Sequence, residues 1–187
     1  MRTQKTINQI LSSISNEETK EKFLNLIDNH PESHFDRNNM DGHITGSMLV
    51  FNESGDKVLL THHKKLGKWL QLGGHNDSES GTILETAVKE MEEEGFDDRR
   101  VNYTLLTEAP IDLDVHWVGN HNHYDVCFAC KVSNLEEISC SHESESVEWK
   151  PISEILSNKN YDERLSRMIK TVLDFKLLQE KSLGLKY

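Results

Sequence analysis

The chain has 187 residues, 35% of them hydrophobic and 28% charged, with a formal net charge of -11. This length suits one domain with a modest extension, and the composition allows a packed core and excludes an overall disordered chain. No apolar run approaches the roughly 20 residues that cross a bilayer, and the acid excess disfavours generic binding to DNA or RNA, whose phosphates demand a basic footprint.

The start, Met1 to Ile10, is polar and lacks the apolar stretch of a secretory signal, so a soluble cytoplasmic protein is expected. Ile7, Ile10, Leu11 and Ile14 fall at helical spacing. Ser15 and Asn16 are candidate caps for a second helix carrying Phe23, Leu24 and Ile27, which Pro31 would end. His30 to Asp41 is polar and turn-rich and reads as a linker. Residues 1–40 are thus expected to form a helical extension that covers the main domain, 41–187, or makes a homodimer contact.

From Ile44 the pattern becomes strand-like. Ile44–Asn52 and Lys57–His63 are apolar-rich runs joined by the turn signal Glu53-Ser54-Gly55-Asp56. Lys68–Leu72 predicts a third strand that ends at Gly73-Gly74. A helix follows over Thr82–Glu94, then strands near Tyr103–Leu106, Ile111–Trp117 and Tyr124–Val132, and a short one at Val147–Trp149 before Pro151. The last helix, Asp162–Gln179, carries Leu165, Met168, Ile169, Val172 and Leu173 on one face. The sum is an α/β domain (α+β) of about 150 residues.

The helix over Thr82–Glu94 concentrates the chemistry. Thr82 and Glu85 form a candidate capping box, and Gly95 is the expected C-cap. Ile83, Leu84, Ala87, Val88 and Met91 make an apolar stripe that should dock on the sheet. Glu90, Glu93 and Glu94 stand at i, i+3 and i+4, so their carboxylates project from one side. Like charges at this spacing repel by a few tenths of a kcal/mol, and acids in the last turn also face the negative end of the helix dipole, at about 0.3–1 kcal/mol each. A divalent cation with a preference for hard oxygen ligands, Mg²⁺ or Mn²⁺, reverses both effects. The competing reading is a solvated acidic face. The double glycine just upstream favours the cation, because it frees the backbone to approach a ligand.

Gly73-Gly74-His75 through Lys89-Glu90-Met91-Glu92-Glu93-Glu94-Gly95-Phe96 resembles the Nudix box, G-x5-E-x7-R-E-U-x-E-E-x-G-U with U aliphatic. The order of strands and Trp149-Lys150-Pro151-Ile152 extend the resemblance over roughly residues 43–175, and Thr61 to His75, THHKKLGKWLQLGGH, matches one subgroup. Three departures stand out. The segment from Gly74 to Lys89 carries one extra residue, Lys89 occupies the family's Arg position, and Gly95 comes one position early. Glu79 is then the nearest candidate for the loop acid. A shifted register that pairs Glu92 with Glu93 would put Lys89 where a glutamate belongs.

The resemblance implies a Nudix-type α/β/α sandwich with a mixed sheet. It implies a pyrophosphohydrolase acting on a nucleoside diphosphate linked to another moiety. Glu90, Glu93 and Glu94, helped by the Gly74 carbonyl, would hold Mg²⁺ (or Mn²⁺), and Glu94, Glu143 or Glu145 would take a proton from the attacking water. The rival from another class is a Nudix-like module that binds a nucleotide or a partner with little catalysis. A third reading is a histidine-rich metal-binding protein.

Other groups are candidates for substrate or metal. His62, Lys64 and Lys68 belong to the one dense basic cluster and, with Gly73 and Gly74, are expected to contact an anionic substrate. A solvated hairpin tip is the alternative. Asp112, Asp114, His116, His121, His123 and Asp125 crowd together, and His121, His123 and Asp125 would share a strand face as a second metal group. A polar strand without a ligand is the plainer reading. Trp69, Trp117 and Tyr124 are candidates to stack on a base, against packing roles. Arg99 and Arg100 read as surface charges. Cys127 and Cys130 have C-x-x-C spacing, but on a strand they point to opposite faces, which favours buried thiols over a shared zinc ion. With Cys140 they make three, too few for a disulfide framework.

Overall fold

Strand β1 (His43–Phe51) is buried along its whole length, as expected for a strand covered on both faces. One of its faces carries Ile44, Met48 and Val50 into a first apolar cluster. The other carries Leu49 and Phe51 into a second cluster, but its N-terminal half bears His43, Thr45 and Ser47, which are buried and polar. This polar half-face is where the site develops. In the computed structural model, residues 11, 16–76, 81–133, 137–142 and 144–182 are described. The expected first helix apart from Leu11, the loop acid Glu79, and Glu143 lie outside them.

The sheet is mixed and has eight strands. β1 pairs antiparallel with β2 (Lys57–His63), whose outer neighbours are β3 (Lys68–Leu70) and β8 (Ser144–Pro151). β1 also pairs antiparallel with β4 (Leu72–His75) and parallel with β7 (His121–Val132). β7 in turn holds β5 (Tyr103–Leu105) and β6 (Asp112–Val118). The β1–β2 turn is locked by Asn52 Oδ1, which accepts the backbone N–H groups of Gly55, Asp56 and Lys57 at 3.0–3.1 Å.

The expected single strand Lys68–Leu72 is two strands broken at Gln71. β3 pairs with β2 and β4 pairs with β1, so the chain changes partners at that residue. Residue pattern carries no signal for such a switch, because both pieces are strand-like.

Helices cover both faces. α1 (Glu17–Asn29) is capped by Asn16, whose Oδ1 accepts Thr19 N–H at 3.1 Å. It buries Phe23, Leu26 and Ile27 in the first cluster, each contributing about 1.5–3 kcal/mol on full burial. Leu24 lies on the same helix and is 41% exposed. Phe23 meets Tyr124 edge-on at 5.2 Å between ring centroids. α2 (Ile83–Phe96) packs on the same side, with Ile83, Ala87 and Met91 in that cluster. On the opposite side lie α3 (Ile152–Ser157) and α4 (Glu163–Ser182), whose Leu165, Met168, Ile169 and Val172 fill the second cluster. Among the described residues, no helix is long and apolar enough to cross a membrane.

The two strand cysteines divide between the clusters, Cys127 in the second and Cys130 in the first. Burial pushes both thiols up, Cys130 to about 12. Each is a packed thiol on its own face of the sheet.

Candidate active site

Both ends of α2 are set by local chemistry. Thr82 Oγ1 accepts Glu85 N–H at 3.2 Å, and Glu85 Oε2 accepts Thr82 N–H at 2.5 Å, so the capping box is complete. The C-cap is Asp97, in left-handed conformation at φ 56°. Gly95, expected there, lies inside the helix. A Cβ on it would stand 2.7 Å from Leu72 Cδ1 and 3.3 Å from Leu59 Cδ2, so this residue is small because the sheet lies directly beneath it. Packing, not backbone conformation, selects glycine.

The last turns of α2 face β4. Glu94 Oε2 accepts the Gly73 N–H at 2.8 Å. A Cβ on Gly74 would run into the Glu90 carboxylate, with Cδ at 2.7 Å, and one on Gly73 would stand 2.8 Å from Ser47 Cα. Neither glycine has a positive φ. The double glycine therefore serves close approach on both faces of β4, where the sequence suggested unusual backbone angles. Glu90 and Glu94 are each only 9% exposed. Glu93 is more open, and Lys89 Nζ lies 2.7 Å from its Oε1 and 3.8 Å from Glu90 Oε1. Lys89 thus neutralises part of the cluster. Glu92 points elsewhere, with its Oε1 accepting Val101 N–H at 3.0 Å, which excludes the shifted register.

Glu90, Glu93 and Glu94 line one cavity of about 880 Å³ together with Asp97 and Asp98. The same cavity is also lined by the cations Arg37, Lys68 and Arg164 and by the histidines His63, His75, His116 and His123. Of the expected substrate-binding residues, Lys68, Gly73 and Gly74 are in this lining. His62 and Lys64 turn away. His62 Nδ1 meets Glu145 Oε2 at 2.7 Å, and Lys64 Nζ donates to the carbonyl of His142, itself a lining residue, at 2.7 Å; neither His62 nor Lys64 lines the cavity. Glu145 is likewise absent from the wall. Of the three expected aromatics, Trp117, 64% exposed, lines the cavity. Trp69 instead lies under Lys150 Nζ at 4.0 Å, and Tyr124 packs on Phe23.

The floor is the polar half-face of β1 and β7. Asp125 accepts Thr45 Oγ1 at 3.0 Å, Ser47 Oγ at 2.6 Å and Gln71 Nε2 at 3.1 Å. Burial raises its carboxyl above the ordinary range, against the pull of these hydrogen bonds. Beside it, Arg164 and Arg167 bind Asp114 at 2.9–3.1 Å, and Arg167 also binds Asp112 at 2.6 Å. Burial alone would raise Asp114, but His116 and the two guanidiniums hold it well below the usual carboxylate range. This network ties α4 to β6 and holds Arg164 at the cavity.

The histidines gather at the far end. His43 faces His75, His121 and His123 with ring centroids 4.8–5.0 Å away. Asp125, expected with His121 and His123, sits one step along the strand in its own hydrogen-bond set, and the third histidine of the cluster is His43 from β1. The parallel β1–β7 register, which pairs His43 with His123, has no signature in either strand alone.

Compared with known proteins, residues 43–172 match the family model of the NUDIX domain. The chain belongs to the NUDIX family. It is thereby a Nudix hydrolase, an enzyme of the pyrophosphohydrolase class. No curated protein matches the sequence. Among solved structures, a NUDIX-family hydrolase from Clostridium perfringens is similar at 26% identity and a TM-score of 0.56, over 73% of this chain and 97% of that one. A C. elegans Ap4A hydrolase in a binary complex shares the fold at 16% identity and a TM-score of 0.61, over 72% and 97% of the two chains. So does the NUDIX domain of Shewanella oneidensis NrtR complexed with ADP ribose, at 17% identity and a TM-score of 0.53, over 70% and 86%.

The Nudix segment also passes a chemical test for the divalent cations on which such hydrolases depend. Two of its three acids are almost buried, and Glu93 and Glu94 lie in the last turn of a helix with no basic residue there. Such an array is costly alone and favourable around a hard cation. Sequence reasoning missed Arg37, Arg164 and His43. Arg37 sits in the linker and Arg164 on a terminal helix, so their approach to the Nudix helix depends on tertiary contacts without a local pattern.

Proposed function

We propose that this protein hydrolyses, with Mg²⁺ or Mn²⁺, the pyrophosphate bond of a nucleoside diphosphate linked to another moiety, in the cytoplasm. One observation carries this reading: the three clustered acids of α2 line the same cavity as the cationic side chains of Arg37, Lys68 and Arg164. Glu90, Glu93 and Glu94, with the Gly74 carbonyl, would hold the cation. The cation supplies charge neutralisation of the diphosphate and acidification of a bound water.

The remaining work falls to the chain. Gly73 N–H orients Glu94, and the missing side chain at Gly74 leaves room for the Glu90 carboxylate. Glu93 is the most open of the three and pairs at Oε1 with Lys89, and a carboxylate of this cluster accepts the proton of the attacking water. Lys68, Arg37 and Arg164 bind the anionic substrate, and Trp117 offers an exposed ring to a base. Ap4A, which the C. elegans neighbour hydrolyses, and ADP ribose, bound by the NrtR domain, both fit this substrate class.

The test is a panel of nucleotide derivatives with Mg²⁺ and Mn²⁺, comparing the native protein with Glu93→Gln. We expect hydrolysis between phosphates and a fall of about 10²–10⁴-fold in kcat for the folded variant. Full activity in Glu93→Gln removes that residue from the site.

A further inference from the structure

We propose that His43, His121 and His123 form a site for one borderline-soft transition-metal ion, Zn²⁺ by preference, at the histidine end of the cavity and separate from the carboxylates of α2. Each of the three offers a ring nitrogen, and these three atoms lie within 4.8 Å of one another. In a tetrahedral zinc site the bonds are about 2.0–2.1 Å, so the rings need to close inward by about an ångström.

What singles this cluster out is unmet hydrogen bonding. Buried polar atoms are nearly always paired, yet both nitrogens of the fully buried His43 and Nε2 of His121 have no hydrogen-bond partner among the described residues. His121 is also set up as a ligand. Its Nδ1 lies 2.9 Å from Asn120 Oδ1, an acceptor, which places the ring proton on Nδ1 and leaves the Nε2 lone pair facing the cluster. His43 and His123 stand side by side on paired strands, so the backbone holds two ligands in place before an ion arrives.

Imidazole nitrogens suit zinc and its neighbours, whereas oxygen sets such as that of α2 suit magnesium. The two sites would thus sort different ions. Three histidines leave a fourth position for a further ligand, and His123 is the one of the three that lines the cavity. This inference stands independently of the hydrolytic reading, since its readout is metal binding.

The experiment is a titration of the metal-free full-length protein with Co²⁺ and then Zn²⁺, followed by visible absorption and calorimetry. We expect one equivalent of Co²⁺ with the intense bands of a tetrahedral nitrogen site, displaced by Zn²⁺, and unchanged in Glu93→Gln. His121→Asn and His43→Phe should weaken binding at least 100-fold while circular dichroism stays native. A pale, octahedral Co²⁺ spectrum, absence of stoichiometric binding at micromolar metal, loss in Glu93→Gln, or retention in a folded histidine variant each overturns the proposal. If the histidine variants fail to fold, the spectrum of the native protein decides.

Discussion

Consider a methyl group added to Gly74. The new Cβ would enter the space of the Glu90 carboxylate, with Cδ at 2.7 Å. That obstacle is the far end of a flexible side chain, so a rotation about Glu90 relieves it without moving β4. Backbone strain is absent, because Gly74 is not among the residues with positive φ. Replacing glycine by alanine at a compatible position gains about 0.4–1 kcal/mol from the unfolded chain, which roughly offsets the rotamer cost. Stability should change by no more than about 1 kcal/mol, a shift of about 2–4 °C in Tm for a chain of this size. Activity should respond very differently. Misplacing a catalytic group by about 1 Å can cost about 10²-fold, so Gly74→Ala should lower kcat by about that factor.

The neighbouring substitution is the control. At Gly73 the new Cβ would stand 2.8 Å from Ser47 Cα and 2.9 Å from the Gly46 carbonyl oxygen. No rotamer moves a backbone, so Gly73→Ala should cost about 1–3 kcal/mol or more through strand separation. The assay is thermal unfolding of both variants alongside steady-state hydrolysis. A fully active Gly74→Ala, or one destabilised as much as Gly73→Ala, would refute the reasoning.

Gly95→Ala should destabilise the fold by about 1–3 kcal/mol, since its methyl would press on Leu72 and Leu59 beneath α2; a urea midpoint equal to that of the native protein would contradict this packing role. Acid should weaken the metal-free protein. An unfolded histidine titrates near 6.5, whereas folded His43 titrates near 4 and His123 near 3. The unfolded chain therefore binds more protons as pH falls below about 6.5, and stability drops through the window between those values. Asp125 and Asp112, raised by burial, act in the opposite sense. Chemical unfolding at pH 7, 5.5 and 4.5 should show the loss, and His43→Phe should flatten it.

Much of this architecture is legible in local pattern. The Thr82–Glu85 capping box, the apolar stripe of α2, the strand runs of β1, β2 and β7, and the opposed Cys127 and Cys130 all follow from short-range periodicity. The i, i+3, i+4 spacing of Glu90, Glu93 and Glu94 is likewise read along one helix, and all three acids line the cavity. What resists reading is pairing between distant segments. The break at Gln71 reflects a change of strand partner, and His43 joins His121 and His123 through a parallel register. His62 and Lys64 pair with Glu145 of β8 and with the His142 carbonyl just before it, contacts between segments far apart in sequence. Gly95 misleads for a similar reason: a glycine at a helix end signals a cap, but here the sheet beneath it sets the size limit.

The central claim is that the acids of α2 converge on a divalent ion. Its most direct test is a crystal of the protein soaked in Mn²⁺, with the metal located by anomalous scattering. The account predicts manganese bound by oxygens of Glu90, Glu93 and Glu94 at about 2.0–2.2 Å. Manganese bound elsewhere, with those three carboxylates turned apart into solvent, would contradict it.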